Sequence, residues 1–252
     1  MIVPDTEPQA WADAQFAGAT LAHPARNRRV RGIPPAQAAH PGPGRPAPFL
    51  PWYDVRAAYD VFDHPEATPD HIQAGHRRLV RDQVSRPGEY LLIEDTTAVS
   101  YRGRQPIAGL GSVGHSSEGQ KAFQLHSVLA VRWPGPAIPD DRGHRPGVEI
   151  LGLRDQQSDI RTPHPPGIDP RTGGPKIKVT YKSVKAPEDW SAWERATARI
   201  GAAPARDDVR WVRVCDREAD IYEYLCGCRE QGHGFVDRAA QAPLGVDQLV
   251  AD

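Results

Sequence analysis

Two stretches of the chain place aspartates where they can do chemistry. Tyr90-Leu91-Leu92-Ile93 is an apolar run leading into Glu94-Asp95-Thr96-Thr97, and Val209-Arg210-Trp211-Val212-Arg213-Val214-Cys215 leads into Asp216-Arg217-Glu218-Ala219-Asp220. Each reads as a buried strand that delivers a carboxylate to its end. A carboxylate just past a buried strand is costly unless it is paired or bound to a cation, and Mg2+ takes one or two carboxylates together with substrate phosphates. Asp95 and Asp216 can share one metal site if their strands are neighbours; exposed strand-end turns are the other reading that the spacing leaves open.

The remaining motifs carry less. Gly109-Leu110-Gly111-Ser112-Val113-Gly114 fits the dinucleotide-binding glycine pattern, but that pattern needs a helix opening at its end. The residues after it lead to a strand, so it reads as a turn. Cys226 and Cys228 sit two apart on an expected helix and point to different faces. None of the ten histidines stands at His-Glu-x-x-His spacing, which excludes a zinc protease of that type.

The elements that must position the aspartates fall into two groups. Residues 8–23 predict a helix with Trp11, Phe16 and Leu21 on its apolar face. Arg26-Asn27-Arg28-Arg29-Val30-Arg31 then gathers four arginines with no acid among them, suited to neutralising phosphates or, more simply, to a solvated turn. Residues 34–51 are rich in proline and glycine and read as a connection. Residues 52–62 predict a helix with Trp52, Val55, Tyr59 and Phe62 as its core face. Thr68-Pro69-Asp70 starts another, to about Gln83, by a capping hydroxyl, a proline at the first position and an acid near the positive end. It is expected to bury Ile72 and Leu79 and to expose His76, Arg77, Arg78 and Arg81. Residues 1–84 thus read as a small helical domain and 85–252 as a second one. Strands are expected at 90–94, 123–131 (with a polar interruption at His126-Ser127), 148–153, 209–215 and 235–239. Helices are expected at 187–200, with Trp190, Trp193 and Ile200, and at 219–230, with Ile221, Leu225 and Cys228 inward; 133–147 and 154–175 read as loops. Strands first, then alternating helix and strand, predict an α/β layer with a mixed sheet.

Composition narrows the setting. Of 31 basic residues in a chain of 252 only five are lysine, and arginine suits bidentate phosphate contacts, although base-rich coding produces the same bias. Glycine and proline, 23 and 26 residues, predict long irregular connections. Three cysteines without a Cys-x-x-Cys pair point to a reducing compartment. No apolar run approaches the ~18 residues of a membrane span, and the N-terminus lacks a basic-then-apolar signal, so the expectation is a soluble, cytoplasmic protein.

Taken in order, Glu94-Asp95-Thr96-Thr97, Gly109-Leu110-Gly111, Leu125-His126-Ser127-Val128-Leu129-Ala130-Val131, Cys215-Asp216-Arg217-Glu218-Ala219-Asp220-Ile221 and Phe235-Val236-Asp237-Arg238 resemble the catalytic-domain landmarks of bacterial cut-and-paste DDE transposases of the transposon-five type. Residues 11–29 and 57–65 resemble the N-terminal DNA-end-binding domain of that group. The resemblance implies an RNase H-like mixed sheet preceded by a small helical DNA-binding domain. It makes Asp95 the first catalytic aspartate, on the first strand, and Asp216 the second, on the fourth, together holding Mg2+, for which Mn2+ can substitute. It places Arg238 near the DNA and gives the cluster Arg26, Arg28, Arg29 and Arg31 a role on the double-stranded transposon ends, where the family acts as a homodimer. In that chemistry one divalent ion activates water or a 3′-hydroxyl and the other stabilises the leaving oxygen.

Three features depart from the pattern. The family's third carboxylate is a glutamate in a Tyr-x2-Arg-x3-Glu-x6-Lys helix; the nearest match, Tyr53-Arg56-Asp60, has the wrong acid and lies upstream of both aspartates. The dimerisation region has no match, and residues 30–48 are too rich in proline for a continuous helix. The expectation is a catalytic domain truncated before its third acid and inactive in transposition. The alternatives are a non-catalytic regulator that occupies transposon ends, or a nonfunctional gene remnant.

Overall fold

The computed structural model describes residues 7–39, 52–101, 109–112, 121–135, 147–160 and 187–238, and the chain divides into two units, Met1–Gln83 and Val84–Asp252. The first contains helices α1 (Pro8–Phe16), α2 (Pro24–Ala39), α3 (Trp52–Phe62) and α4 (Pro69–Val84). The start of α4 follows from its sequence: the Thr68 hydroxyl accepts from the His71 N–H at 3.3 Å, proline takes the first position and Asp70 sits in the first turn. Ala19, Leu21, Val30 and Val61 form a core, with Phe16, Ala67 and Ile72 packed against it.

Several expectations change in this unit. The first helix stops at Phe16, and Leu21 is buried from the loop that follows. The arginine cluster is helical rather than a turn, and α2 runs on through Pro34 and Pro35 to Ala39. Val30, buried in the core, anchors the segment ahead of the prolines, so tertiary packing overrides the local penalty. On α3 the stripe 52-55-59-62 and the stripe 55-58-61 share Val55. The protein buries the second: Val55 and Val61 are inside, whereas Trp52, Tyr59 and Phe62 are 77, 58 and 53 % exposed. On α4, Ile72 and Leu79 are half-buried and the fully buried apolar residues are Val80 and Val84.

The second unit contains β1 (Gly88–Tyr101), β2 (Gly111–Ser112), β3 (Lys121–Trp133), β4 (Glu149–Asp159), α5 (Pro187–Ile200), β5 (Val209–Val214), a 3-10 turn at Arg217–Ala219, α6 (Tyr222–Glu230) and β6 (Gly234–Val236). These strands make one six-stranded mixed sheet. β1 lies antiparallel to β3 along its whole length and parallel to β5, β6 adds parallel to β5, and β2 and β4 pair antiparallel with β3. The α/β class and the mixed sheet expected from the order of elements are what the chain forms. Gly109 (φ +81°) lies in a turn ahead of β2; Val113 and Gly114 lie outside the described residues, as do most of 133–147 and 161–175.

Two strands differ from expectation for one reason, the long antiparallel ladder on β3. β1 is 14 residues long, because pairing continues from Glu89↔Trp133 to Tyr101↔Lys121. It is buried on one face only: Tyr90, Leu92 and Glu94 point inward, while Ile93 and Asp95 are exposed. β4 extends to Asp159, so 154–159 is strand rather than loop. The register passes from Val128↔Asp155 to Leu129↔Leu153, which leaves Arg154 as the extra residue of a bulge and turns both Arg154 and Asp155 inward. Arg154 donates to the Ile200 carbonyl at 2.7 Å, Arg199 pairs with Asp155 at 2.9 Å and Arg195 pairs with Asp159, fastening α5 over β4. Trp193 and Ile200 are buried as expected, and the Trp190 side chain lies outside the described residues.

In the first unit a Cβ on Gly75 of α4 would lie 2.7 Å from the Gly18 backbone nitrogen. Alanine ordinarily stabilises a helix interior by about 1 kcal/mol over glycine. Here Gly75→Ala is expected to destabilise the unit instead, by about 1–3 kcal/mol in urea unfolding; a raised midpoint contradicts the close crossing.

Candidate metal site and the buried network behind it

The parallel β1·β5 register runs from Gly88↔Val209 to Ile93↔Val214. Two residues beyond the last pair on each chain stand Asp95, within β1, and Asp216, just past the end of β5 at Val214. Asp95 is mid-strand rather than at a strand end. It is opposite Ser127 on β3, exposed, and its Oδ2 accepts from the Thr97 hydroxyl at 2.9 Å. Asp216 has extended backbone and accepts the Glu218 N–H at 2.9 Å, capping the 3-10 turn. Beside it, β6 ends at Val236 and is followed by Asp237. Burial pushes the Asp237 carboxyl up, as do the charges of Asp220 and Asp216, against a backbone hydrogen bond from Arg238. One Asp237 oxygen, Oδ1, is buried without a hydrogen-bond partner among the described residues.

The donor set is carboxylate oxygen only, which suits a hard cation such as Mg2+, and the unsatisfied Asp237 oxygen lies electrostatically close to Asp216. Asp95 and Asp216 are of the residue type that a hard divalent ion takes as ligands. Among the described residues no group of three or more His, Cys, Asp or Glu side chains is placed to hold a metal.

The candidate DNA-binding residues divide between the units. Arg238 is exposed, one residue beyond Asp237. Arg26, Arg28, Arg29 and Arg31 all lie on α2 in the first unit. Arg28 is exposed and the other three are half-buried; Arg31 donates to the Asn27 carbonyl and stands 3.9 Å from Asp13.

Behind the aspartates lies a buried network that the motif reading passed over. The Glu94 carboxylate receives Arg213 Nε, the Tyr224 hydroxyl at 2.6 Å and the Cys215 thiol at 3.7 Å on one oxygen, and faces His126 Nε2 at 3.3 Å with the other. The Thr96 hydroxyl bonds His126 Nδ1 at 2.9 Å. Trp193 of α5 meets His126 edge-on at 4.5 Å and Tyr224 at 5.4 Å. Burial alone raises the Glu94 carboxyl; the hydrogen bond to His126, then the Arg213 charge and hydrogen bond, then Tyr224, outweigh it and hold the group at about 2. Burial opposes the Arg213 charge, but Glu94 raises its pKa above the ordinary arginine value. Burial pushes the Tyr224 hydroxyl and the Cys215 thiol up, and Glu94 adds to both, so neither is a ready nucleophile. The signal that marks this network in sequence is a charged or titratable residue inside each apolar strand run: Glu94, His126 and Arg213.

No protein-family model matches this chain.

His233, just ahead of β6, is buried against Trp211 and bonds the Gly201 carbonyl at 3.1 Å. Burial, then the Arg213 charge, lowers its pKa from 6.5 to about 4. A base depressed in the fold favours folding fully above its unfolded value and loses that contribution as pH falls from about 6.5 toward 4. Unfolding free energy is therefore expected to drop by up to about 3 kcal/mol across that window, and His233→Gln is expected to flatten the drop. An unchanged pH profile in the variant overturns the assignment.

Proposed function

We propose that this chain is a DDE transposase by descent, with an RNase H-like catalytic domain, double-stranded DNA as substrate and Mg2+ or Mn2+ as cofactor. The observation that carries the reading is that Asp95, within β1, and Asp216, just past β5, lie the same two residues beyond the last pair of two adjacent parallel strands, 121 residues apart in sequence. The sheet supports the fold assignment. With the two-residue β2 set aside, Asp95 lies on the first strand and Asp216 follows the fourth, and antiparallel strands on one side of β1 give way to parallel strands on the other.

The chemistry follows from the donors. Divalent ions held there would activate water or a DNA 3′-hydroxyl and stabilise the leaving oxygen in an in-line displacement at phosphorus. Asp95 on β1 and Asp216 just past β5 would hold the cation, and Arg238, exposed just past β6, would neutralise a DNA phosphate. Arg26, Arg28, Arg29 and Arg31 supply phosphate contacts from a single helix. Asp95 and Asp216 match two of the three acids that the resemblance calls for, and two carboxylates alone are expected to hold metal weakly and to leave DNA uncut. A second reading, a non-catalytic regulator occupying transposon ends, is favoured by the arginines standing together on α2.

Filter binding with a labelled duplex of the DNA flanking the gene tests both. Binding is expected to weaken as salt rises and to weaken further when Arg26, Arg28 and Arg29 become alanine; binding indifferent to both removes the DNA reading. With Mn2+ present the duplex is expected to stay intact. Nicking abolished by Asp95→Ala or Asp216→Ala overturns the inactivity and the regulator reading together.

A further inference from the structure

The backbone pairing between β1 and β5 ends at Ile93↔Val214, two residues short of Asp95 and Asp216. Beyond that point the Glu94 carboxylate joins β1 to the end of β5 and to α6. Glu94 immediately precedes Asp95. Its oxygens take Arg213 and Cys215, which flank Asp216 on the N-terminal side, and Tyr224, on the helix that follows the turn Asp216 caps. Asp216 is thus held from before and after by groups bound to the neighbour of Asp95. His126 fixes the other Glu94 oxygen to β3.

The pair is built for placement more than for stability. Glu94 and Arg213 are fully buried side chains, and a buried ion pair costs desolvation that an apolar pair of similar volume avoids. Arg213 does not recover the cost fully, because Nη1 and Nη2 have no hydrogen-bond partner among the described residues. What the pair does supply is phase. Successive strand residues face opposite sides of a sheet, so Glu94 locked inward sets Asp95 outward, and a slip of one residue would exchange them.

We propose that Glu94, acting with Arg213 and Tyr224, is a positioning residue that sets Asp95 beside Asp216; this rests on the reading of that pair as the cation site. Glu94 itself touches neither metal nor DNA. Its effect travels through the two main chains.

The test is Mn2+ binding to the full chain, followed by the electron paramagnetic resonance of the free ion, together with amide hydrogen exchange. In the wild type, binding is expected and is lost in Asp95→Asn. Glu94→Gln, nearly isosteric, is expected to weaken Mn2+ binding about tenfold or more and to speed exchange at Cys215 and Asp216, with circular dichroism unchanged. Should that variant fail to fold, Tyr224→Phe, which deletes a single donor to Glu94, is expected to shift both readouts in the same direction by a smaller factor. Val209→Ala, at the far end of β5, serves as the control for plain destabilisation and should change neither. Equal Mn2+ affinity and equal exchange in Glu94→Gln or Tyr224→Phe overturn the positioning role. Absence of wild-type Mn2+ binding overturns the cation site instead. In that case exchange at Cys215 and Asp216 alone decides whether Glu94 places the two strands.

Discussion

A carboxylate removed from water must find enough positive charge and hydrogen-bond donors to replace its hydration, or it takes up a proton. Glu94 finds them in His126, Arg213, Tyr224 and Cys215, contributed by β3, β5 and α6. Because those donors come from three different elements, the need to satisfy one charge ties the antiparallel and parallel halves of the sheet to the helical layer over it. Trp193, packed on both His126 and Tyr224, closes α5 onto the same junction. The inner face of the sheet is therefore a polar knot set within an apolar layer.

The opposite face carries the contrast. Asp95 and Asp216 are exposed and accept local hydrogen bonds from the Thr97 hydroxyl and from the Glu218 amide. Solvated carboxylates with spare lone pairs are the usual raw material of hard-cation sites, whereas a fully satisfied buried carboxylate such as Glu94 is not. Adjacent residues in one strand thus have opposite characters, and the pleat separates them. Asp237 stands between: half-buried, with one oxygen unsatisfied and its protonation favoured by burial and by the acids nearby.

Local signals foretold local structure. The Thr68-Pro69-Asp70 start of α4, the strand runs through Tyr90 and Val209, the inward-facing Ile221 just ahead of α6 and Cys228 on it, and the α/β class all follow from capping chemistry and periodicity. Periodicity failed where two patterns overlapped or where a partner strand intervened. On α3 the aromatic stripe and the valine stripe share Val55, and hydrophobicity alone favours the bulkier residues that the protein leaves exposed. On α2 the prolines argued for a break that burial of Val30 overrode. On β1 and β4 the sequence shows only the apolar portion, while hydrogen bonding to β3 extends each strand well past it.

The sequence by itself determined that two aspartates follow two strand-forming runs, that four arginines stand together, and that charged residues interrupt three apolar runs. Composition and spacing carry that information because it is local. Which strand lies beside β1 is a long-range choice that no spacing encodes. Only the tertiary structure decided it, by setting β5 parallel to β1, Gly88 against Val209 through Ile93 against Val214, and by gathering Glu94, His126 and Arg213 into one desolvated cluster that none of their strand runs reveals alone.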